Sequence, residues 1–352
     1  MYFNFIIIGQ GITGTFLSYY LQKNNLSFII IDESKTNTAS KAAAGIINPI
    51  TGRRLVKTWM ISELMNFAKI FYGKIEKELN INCIAETKII DFFPTPQMRN
   101  AFLKRFEEDP EYLKLPTNEN DQRENLNYDF GYGEIEPVLL ININELLAAF
   151  RKKLLNENLL LEEYFDINEL KVSENKIQYK NISADKIVFC DGIESFSNPY
   201  FKDLPFAPNK GEALIAEIKN FSSTYIFKKG INIVPWKENL FWVGSSYQWE
   251  FSDDKPTESF RKQTESILRN WIKTDLKIIE HFASVRPATL ERRPFVGFHP
   301  IYKNVGILNG MGTKGCSLAP FFADQFVDHI VNGSPLNADA NINRFDKILS
   351  RK

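Results

Sequence analysis

Short, unbroken apolar runs alternate along this chain with glycine turns and amphipathic stretches. Phe5-Ile6-Ile7-Ile8 has no polar interruption and is rich in β-branched side chains, which predicts a strand buried on both faces, as in a parallel sheet. Beyond it, Phe16, Leu17, Tyr20 and Leu21 recur at helical spacing until Asn24-Asn25 ends the pattern. Phe28-Ile29-Ile30-Ile31 predicts a second buried strand, and Asp32 follows it. Over 62–79, the positions of Leu64, Phe67, Ile70, Phe71, Ile75 and Leu79 predict a helix with one buried face. Over 143–155, Leu146, Leu147, Phe150 and Leu154 predict another, with Asn144 as its cap. Ile187-Val188-Phe189 is again a short buried strand and runs into Cys190-Asp191-Gly192.

Between 205 and 285 the pattern shifts towards alternating strands, 213–218 and 240–243 among them, with one helix over 259–271. Residues 80–135 are mixed, punctuated by Pro94, Pro96, Pro110 and Pro116 and by a polar stretch over 118–127. The C-terminal part returns to glycine turns and ends in a helix over 319–330, closed by Gly333. This layout predicts an α/β fold. A Rossmann-type nucleotide domain is assembled from 1–80, 136–204 and 286–352, and a second, mainly antiparallel β domain from 81–135 and 205–285.

The first turn carries the chemistry. Gly9-Gln10-Gly11-Ile12-Thr13-Gly14 joins the first strand to the first helix. Gly9 permits the tight turn, Gly11 lets a pyrophosphate approach the backbone, and Gly14 lets the helix pack closely on the sheet. The helix N-terminus offers free N–H groups and partial positive charge to phosphate. Asp32 stands 23 positions after Gly9, near the ~20 expected for an acid that holds a ribose hydroxyl. A carboxylate there repels a 2′-phosphate, which disfavours NADP. The motif itself does not separate FAD from NAD, and a glycine turn without a ligand is the plain alternative.

Composition narrows the field. The chain has 352 residues, 44% hydrophobic and 24% charged, which excludes a disordered chain, a collagen-like chain and a disulfide-stapled mini-protein. Its 43 basic and 43 acidic residues disfavour a strong, sequence-independent nucleic-acid binder. Cys83, Cys190 and Cys316 are far apart and form no ligand cluster with His281, His299 and His329, so no metal site is expected and a reduced, cytoplasmic protein is. No apolar run reaches the ~20 residues of a membrane span, and the opening Ile run is too short for a signal peptide.

Three further blocks carry a resemblance. They are Ala39-Ser40-Lys41-Ala42-Ala43-Ala44-Gly45-Ile46-Ile47-Asn48-Pro49; Val285-Arg286-Pro287-Ala288-Thr289, continuing to Arg293-Pro294-Phe295-Val296-Gly297; and Asn309-Gly310-Met311-Gly312-Thr313-Lys314-Gly315-Cys316-Ser317-Leu318-Ala319-Pro320. With the first turn, they resemble the FAD-dependent D-amino-acid-oxidase and glycine-oxidase family. The third block is most similar to the FAD oxidase domain of the bifunctional tRNA 5-methylaminomethyl-2-thiouridine biosynthesis enzyme, whose methyltransferase half has no counterpart here.

The resemblance implies a cofactor, FAD, and a role for each matching residue. Gly9, Gly11, Ile12, Thr13, Gly14, Asp32 and Glu33 would hold the ADP part. Ser40, Ala43, Ala44 and Gly45 would pass beside the flavin, with Gly192 near it. Gly310, Gly312, Thr313, Lys314 and Gly315 would form the loop at its pyrimidine edge. Arg286 matches the arginine that pairs with the substrate carboxylate, and Lys314 joins it as a catalytic candidate. Glycine oxidase has a second arginine in the last loop, so Lys314 puts glycine itself in doubt as substrate.

Other positions admit two readings. Arg53 and Arg54 face the active site or form a solvated pair. Trp236, Trp242, Tyr247 and Trp249 line the cavity or fill the core. Cys316 links the flavin covalently or is a small buried residue, and His299 is a turn residue. The function implied is an FAD-dependent oxidoreductase taking a hydride from the carbon of a C–N bond in an amino acid or carboxylate-bearing secondary amine, a small-molecule substrate. A tRNA-modifying oxidase acting on a carboxymethylamino uridine and a non-catalytic FAD-binding protein are the alternatives. The sequence does not fix the oligomeric state.

Overall fold

In a computed structural model, which describes residues 1–52 and 54–351, the opening run forms β1 (Tyr2–Ile8), the helical spacing α1 (Ile12–Lys23) and the second run β2 (Phe28–Ile31). β1 and β2 are parallel, with Phe5 opposite Phe28 and Ile8 opposite Ile31. The period of two divides them between two cores: Phe5, Ile7, Phe28 and Ile30 join one, Ile6, Ile8, Ile29 and Ile31 the other. A sheet buried on both faces explains why the runs have no polar positions.

The chain continues through α2 (Ala39–Ala42), β3 (Ile46–Ile47), the hairpin β4 (Ile50–Thr51) and β5 (Val56–Lys57), and α3 (Ile61–Leu79). The buried stripe of α3 runs over Leu64, Ala68, Phe71, Tyr72 and Ile75. Ile70, expected on that stripe, is 75% exposed, since it lies one position off it. Next come β6 (Ile84–Phe92), α4 (Pro96–Glu108), β7 (Leu113–Lys114), β8 (Tyr132–Ile141) and α5 (Ile143–Asn156). The cap of α5 is Asn142, not Asn144: the Asn142 side chain accepts Glu145 N. β8 ends at Ile141, so Asn144 already lies in the first turn, and its amide donates to Lys41 O at 3.2 Å.

Then follow β9 (Leu160–Leu161), β10 (Leu170–Ser173), β11 (Lys176–Tyr179), β12 (Ile182–Phe189), β13 (Asn209–Ile218), β14 (Ile226–Lys228), β15 (Asn232–Lys237), β16 (Leu240–Gly244), α6 (Glu258–Trp271) and β17 (Leu276–Arg286). The C-terminal part is β18 (Phe295–Phe298), β19 (Val305–Asn309), α7 (Gly315–Asn332) and α8 (Asp346–Leu349). Two large sheets result. One has the order β10-β11-β12-β1-β2-β9, with β19 parallel to β12 and β18 against β19. The other has the order β17-β13-β16-β15-β14-β6-β8-β3, with β7 on β8, and is antiparallel except between β14 and β6.

The domain boundary expected between 135 and 136 falls inside β8, whose ladder with β6 continues to Ile141 opposite Ile84. β3, from the first expected nucleotide-domain segment, also pairs with β8. Hydrophobic pattern marks that a strand is buried, not which sheet it joins.

Helix α7 starts four residues before the expected 319 and carries Pro320 in its interior. Proline has no N–H for the carbonyl four residues earlier, Cys316 O. Tyr72 Oη donates to that carbonyl at 2.7 Å, so α3 satisfies what the proline leaves open. Phe16 of α1 meets Phe71 and Tyr72 of α3 and Phe150 of α5 edge-on at 5.0, 5.9 and 6.3 Å. No helix among the described residues is long and apolar enough to cross a membrane.

Candidate active site

The parallel strands β1, β2, β12 and β19 all end on one side of their sheet, and ligands of open α/β sheets bind outside such carboxyl ends. Gly9, Asp32, Cys190 and Gly310 are the residues that follow them. Gly9 has φ +93° and a Cβ there would meet Cys190 O at 2.7 Å, while a Cβ on Gly14 would meet Gly9 O at 1.9 Å. Only glycine fits at either position, and together they bring the start of α1 onto the strand ends. Gly11 precedes α1 and has no side chain to cap it, which leaves first-turn N–H groups for a ligand. Ile12 N is taken by Ser40 Oγ at 3.1 Å.

A cavity of about 870 Å³ extends from this turn to the second sheet. Its wall includes Gly9, Gly11, Ile12, Thr13, Asp32, Glu33, Ser40, Ala43, Ala44, Gly45 and Gly192, together with Arg286, Gly312, Thr313, Lys314 and Gly315 from the distant C-terminal part. Two expected residues stand behind it. Gly14 packs α1 against Gly9, and Gly310, with φ +81°, turns the chain after β19 where a Cβ would meet Thr289 Cγ2 at 2.7 Å. Of the aromatic candidates, Trp242 and Tyr247 reach the wall; Trp236 packs on the core and Trp249 is exposed. Trp242 Nε1 donates to Ala42 O at 3.0 Å and so ties the second sheet to the Ser40–Gly45 segment. Arg54 is exposed and away from the cavity, and Arg53 lies outside the described residues. Cys316 is buried in the wall and burial pushes its thiol up to about 12. His299 Nδ1 accepts Ile301 N and Tyr302 N, as a turn residue does.

Arg286, the last residue of β17, is half-buried in the cavity wall. Its Nη1 donates to Asn209 Oδ1 at 2.6 Å and to Ser246 O at 3.2 Å, and its Nη2 donates to Ser245 Oγ at 2.8 Å. The Tyr247 ring stands 4.7 Å from its Cζ. Every one of these partners is neutral, and among the described residues no carboxylate comes within 4.0 Å of the guanidinium. Burial lowers its pKa, which the nearby Tyr247 partly offsets. An oriented cation without a counter-charge in a cavity wall is built to take an anion. Lys314, at the N-cap of α7, also lacks an ion-pair partner among the described residues; burial and then Arg293 and Arg292 lower its pKa.

At the other end, Asp32 accepts Gln10 N at 2.9 Å, Ser34 N at 2.8 Å and Arg151 Nη1 at 2.8 Å. Burial raises its pKa, but these hydrogen bonds outweigh burial and hold the carboxyl below its usual value. Asp191 stands in the same wall, with Ser195 donating to it, and burial lifts it to about 7. Arg151, Asp191, Asn209 and Ser245 were not singled out by sequence. Arg151 flanks the buried face of α5, 119 positions from Asp32, and Ser245 follows an ordinary strand; no local pattern marks either. Asp191 did carry a signal, an acid between a buried strand and a glycine.

A family model described as DAO, FAD dependent oxidoreductase, matches residues 4–329. The chain is 21% identical to glycine oxidase of Pseudomonas putida over 360 aligned positions, covering 94% of this chain and 95% of that protein. Among solved structures it is similar to glycine oxidase from Geobacillus kaustophilus (TM-score 0.80, 17% identity, 100% of this chain and 99% of that one). It is also similar to iminodiacetate oxidase from Chelativorans sp. BNC1 (TM-score 0.76, 18% identity, 97% and 98%).

Proposed function

This chain belongs to the DAO family of FAD-dependent oxidoreductases, and from that premise we propose that it oxidises the C–N bond of a small amine or amino acid carrying a carboxylate. The observation that carries this reading is Arg286: a guanidinium in the cavity wall, held by Asn209, Ser245 and the Ser246 carbonyl, with no carboxylate partner among the described residues.

The residues present fit FAD. Gly11 brings no side chain of its own to the start of α1, Asp32 follows β2, and the cavity continues past them to Arg286. Gly9, Gly11, Ile12, Thr13, Asp32 and Glu33 would hold the dinucleotide end, and the segments Ser40 to Gly45 and Gly312 to Gly315 the ring end. When bound, FAD supplies a two-electron acceptor for the hydride that leaves the substrate carbon.

The chain's own residues do the rest. Arg286 binds the carboxylate through parallel hydrogen bonds and fixes the substrate's orientation. Trp242, Phe282 and Ile89 give the cavity apolar walls that exclude water. An amine that arrives neutral needs no side-chain base. The imine left by loss of hydride and a proton is hydrolysed by water. Glycine oxidase and iminodiacetate oxidase, named for small carboxylate-bearing amines, support this substrate class.

An anaerobic screen of the FAD-loaded protein tests the reading. Amino acids, N-alkyl amino acids, simple amines and a carboxymethylamino nucleoside are mixed with it, and loss of flavin absorbance is followed. Carboxylate-bearing amines should bleach the flavin and their amide derivatives should not. Arg286→Ala should keep FAD and weaken those substrates by ~2–5 kcal/mol, as for a lost buried charge pair. A panel in which nothing bleaches the flavin, or a variant with unchanged KM, would overturn it.

A further inference from the structure

We propose that Glu212 is a positioning residue for the substrate clamp: from the reverse face of β13 it pins both ends of the segment that presents Ser245, the Ser246 carbonyl and Tyr247 to Arg286. The inference rests on Arg286 being the carboxylate clamp.

Successive residues of a strand point to opposite faces. Asn209 and Gly211 of β13 stand on the face of the guanidinium, since Asn209 accepts from it and a Gly211 side chain would collide with it. Lys210 and Glu212 therefore point to the other face. The Glu212 side chain is 0% exposed. A carboxylate so placed is costly unless its lone pairs are used, and here they are. Oε2 accepts Thr257 N at 2.6 Å and lies 3.0 Å from His281 Nε2, and Oε1 accepts Thr257 Oγ1 at 2.9 Å. The main chain of the same residue holds Ser246: Glu212 N donates to Ser246 Oγ at 2.9 Å, and Glu212 O accepts Ser246 N at 3.2 Å.

The irregular connection between β16 and α6 runs over 245–257, and Ser246 and Thr257 are its second and last residues. One buried residue thus closes that connection at its base. Thr257 is also the cap of α6, accepting Phe260 N, so the helix start is fixed by the same carboxylate. Between the ends, Lys210 and Gln248 exchange backbone hydrogen bonds of 2.9 Å. An apolar residue at 212 fills the space but accepts nothing from Thr257 or His281. The placement of Ser245 and Tyr247 against Arg286 then rests on the main-chain bonds, on Asn209 Nδ2 donating to Gln248 O at 3.2 Å and on the Lys210–Asp253 ion pair, with both ends no longer held by one buried carboxylate.

The test titrates acetate, the smallest carboxylate probe, into FAD-loaded protein and follows the flavin spectrum; FAD affinity of the stripped protein is measured beside it. Glu212→Gln keeps the size but turns one acceptor into a donor facing Thr257. The acetate Kd should rise about tenfold, the scale of a lost charge-assisted hydrogen bond, with FAD affinity unchanged. An unchanged acetate Kd overturns the inference, and so does an equal loss of acetate and FAD affinity, which marks general loosening. If Glu212→Gln does not fold, Thr257→Ser and Thr257→Val decide: serine, which keeps the hydroxyl, should retain acetate binding and valine should lose it, and equal affinities overturn the inference. Arg286→Ala separates the two claims. Acetate binding that survives it removes the clamp reading itself, whereas binding lost there but intact in Glu212→Gln removes only the role of Glu212.

Discussion

The Arg286 guanidinium occupies the space where a side chain of residue 211 would stand: a Cβ built on Gly211 falls 1.9 Å from Nη2 and 2.2 Å from Cζ. The colliding atoms are the far end of a flexible side chain, so in Gly211→Ala the guanidinium moves and the strand does not. Fold and FAD content should be retained, with carboxylate binding weaker by ~1–3 kcal/mol, the scale of local overpacking. An acetate titration reads this directly, and an unaltered Kd would show that Arg286 moves without consequence.

Gly14→Ala should behave in the opposite way. Its Cβ would meet a backbone atom, Gly9 O, at 1.9 Å, and neither α1 nor the turn after β1 yields easily. Loss of ~1–3 kcal/mol of stability and of most FAD binding is expected. Thermal unfolding and the flavin-to-protein absorbance ratio check both, and a fully loaded variant with wild-type melting would contradict the packing role.

Asp32 predicts an acid limb. Burial raises its pKa, but Gln10 N, Arg151 and Ser34 N outweigh it, so the folded value lies below the ordinary 3.8. A lowered carboxylate contributes stability above its unfolded pKa and loses it as pH falls through the folded one. The FAD-free protein should exceed Asp32→Asn by ~1–3 kcal/mol at neutral pH, and the gap should close below pH 3.8. Denaturant melts at several pH values measure it; a gap independent of pH would exclude the ionised carboxylate as its source.

Asp191 predicts the reverse sign. Burial raises it from 3.8 to about 7, so its folded form favours the proton. Its contribution is complete below the unfolded value and declines as pH rises towards the folded one, by ~1.4 kcal/mol per unit. Asp191→Asn, which never ionises, should gain on the wild type through that window and hold its lead above pH 7. Parallel melts of the FAD-free proteins from pH 4 to pH 8 would expose a flat difference, the outcome that refutes it.

The turn at the ends of β1 and β2 was legible because its determinants are local. Gly9, Gly11, Gly14 and Asp32 lie within one strand–helix–strand unit, and backbone geometry alone dictates their identity. Arg286 was legible only through the block around it. Its partners Asn209, Ser245 and Ser246 were not, because three strands bring them together and no periodicity links them. The same holds for Arg151, which reaches Asp32 from a helix more than a hundred positions away. The start of α7 was misjudged because a neighbour supplies the contact at the missing bond, Tyr72 donating to the Cys316 carbonyl that Pro320 leaves open.

Asn209 and Arg286 face each other in the ladder between β13 and β17, and they bracket Gly211, Glu212, Ser245, Ser246, Tyr247 and Thr257. The residues that hold the Arg286 guanidinium therefore travel on one contiguous stretch whose entry and exit are neighbours. Such a stretch would move between homologues as a cassette, leaving the glycine turn between β1 and α1 outside the exchange. The seams needing repair would include the short parallel ladder where Ile226, Phe227 and Lys228 meet Ile89, Ile90 and Asp91, the backbone bonds of Trp271 and Lys273 to Asn127 and Asn125, and the Trp242 bond to Ala42 O.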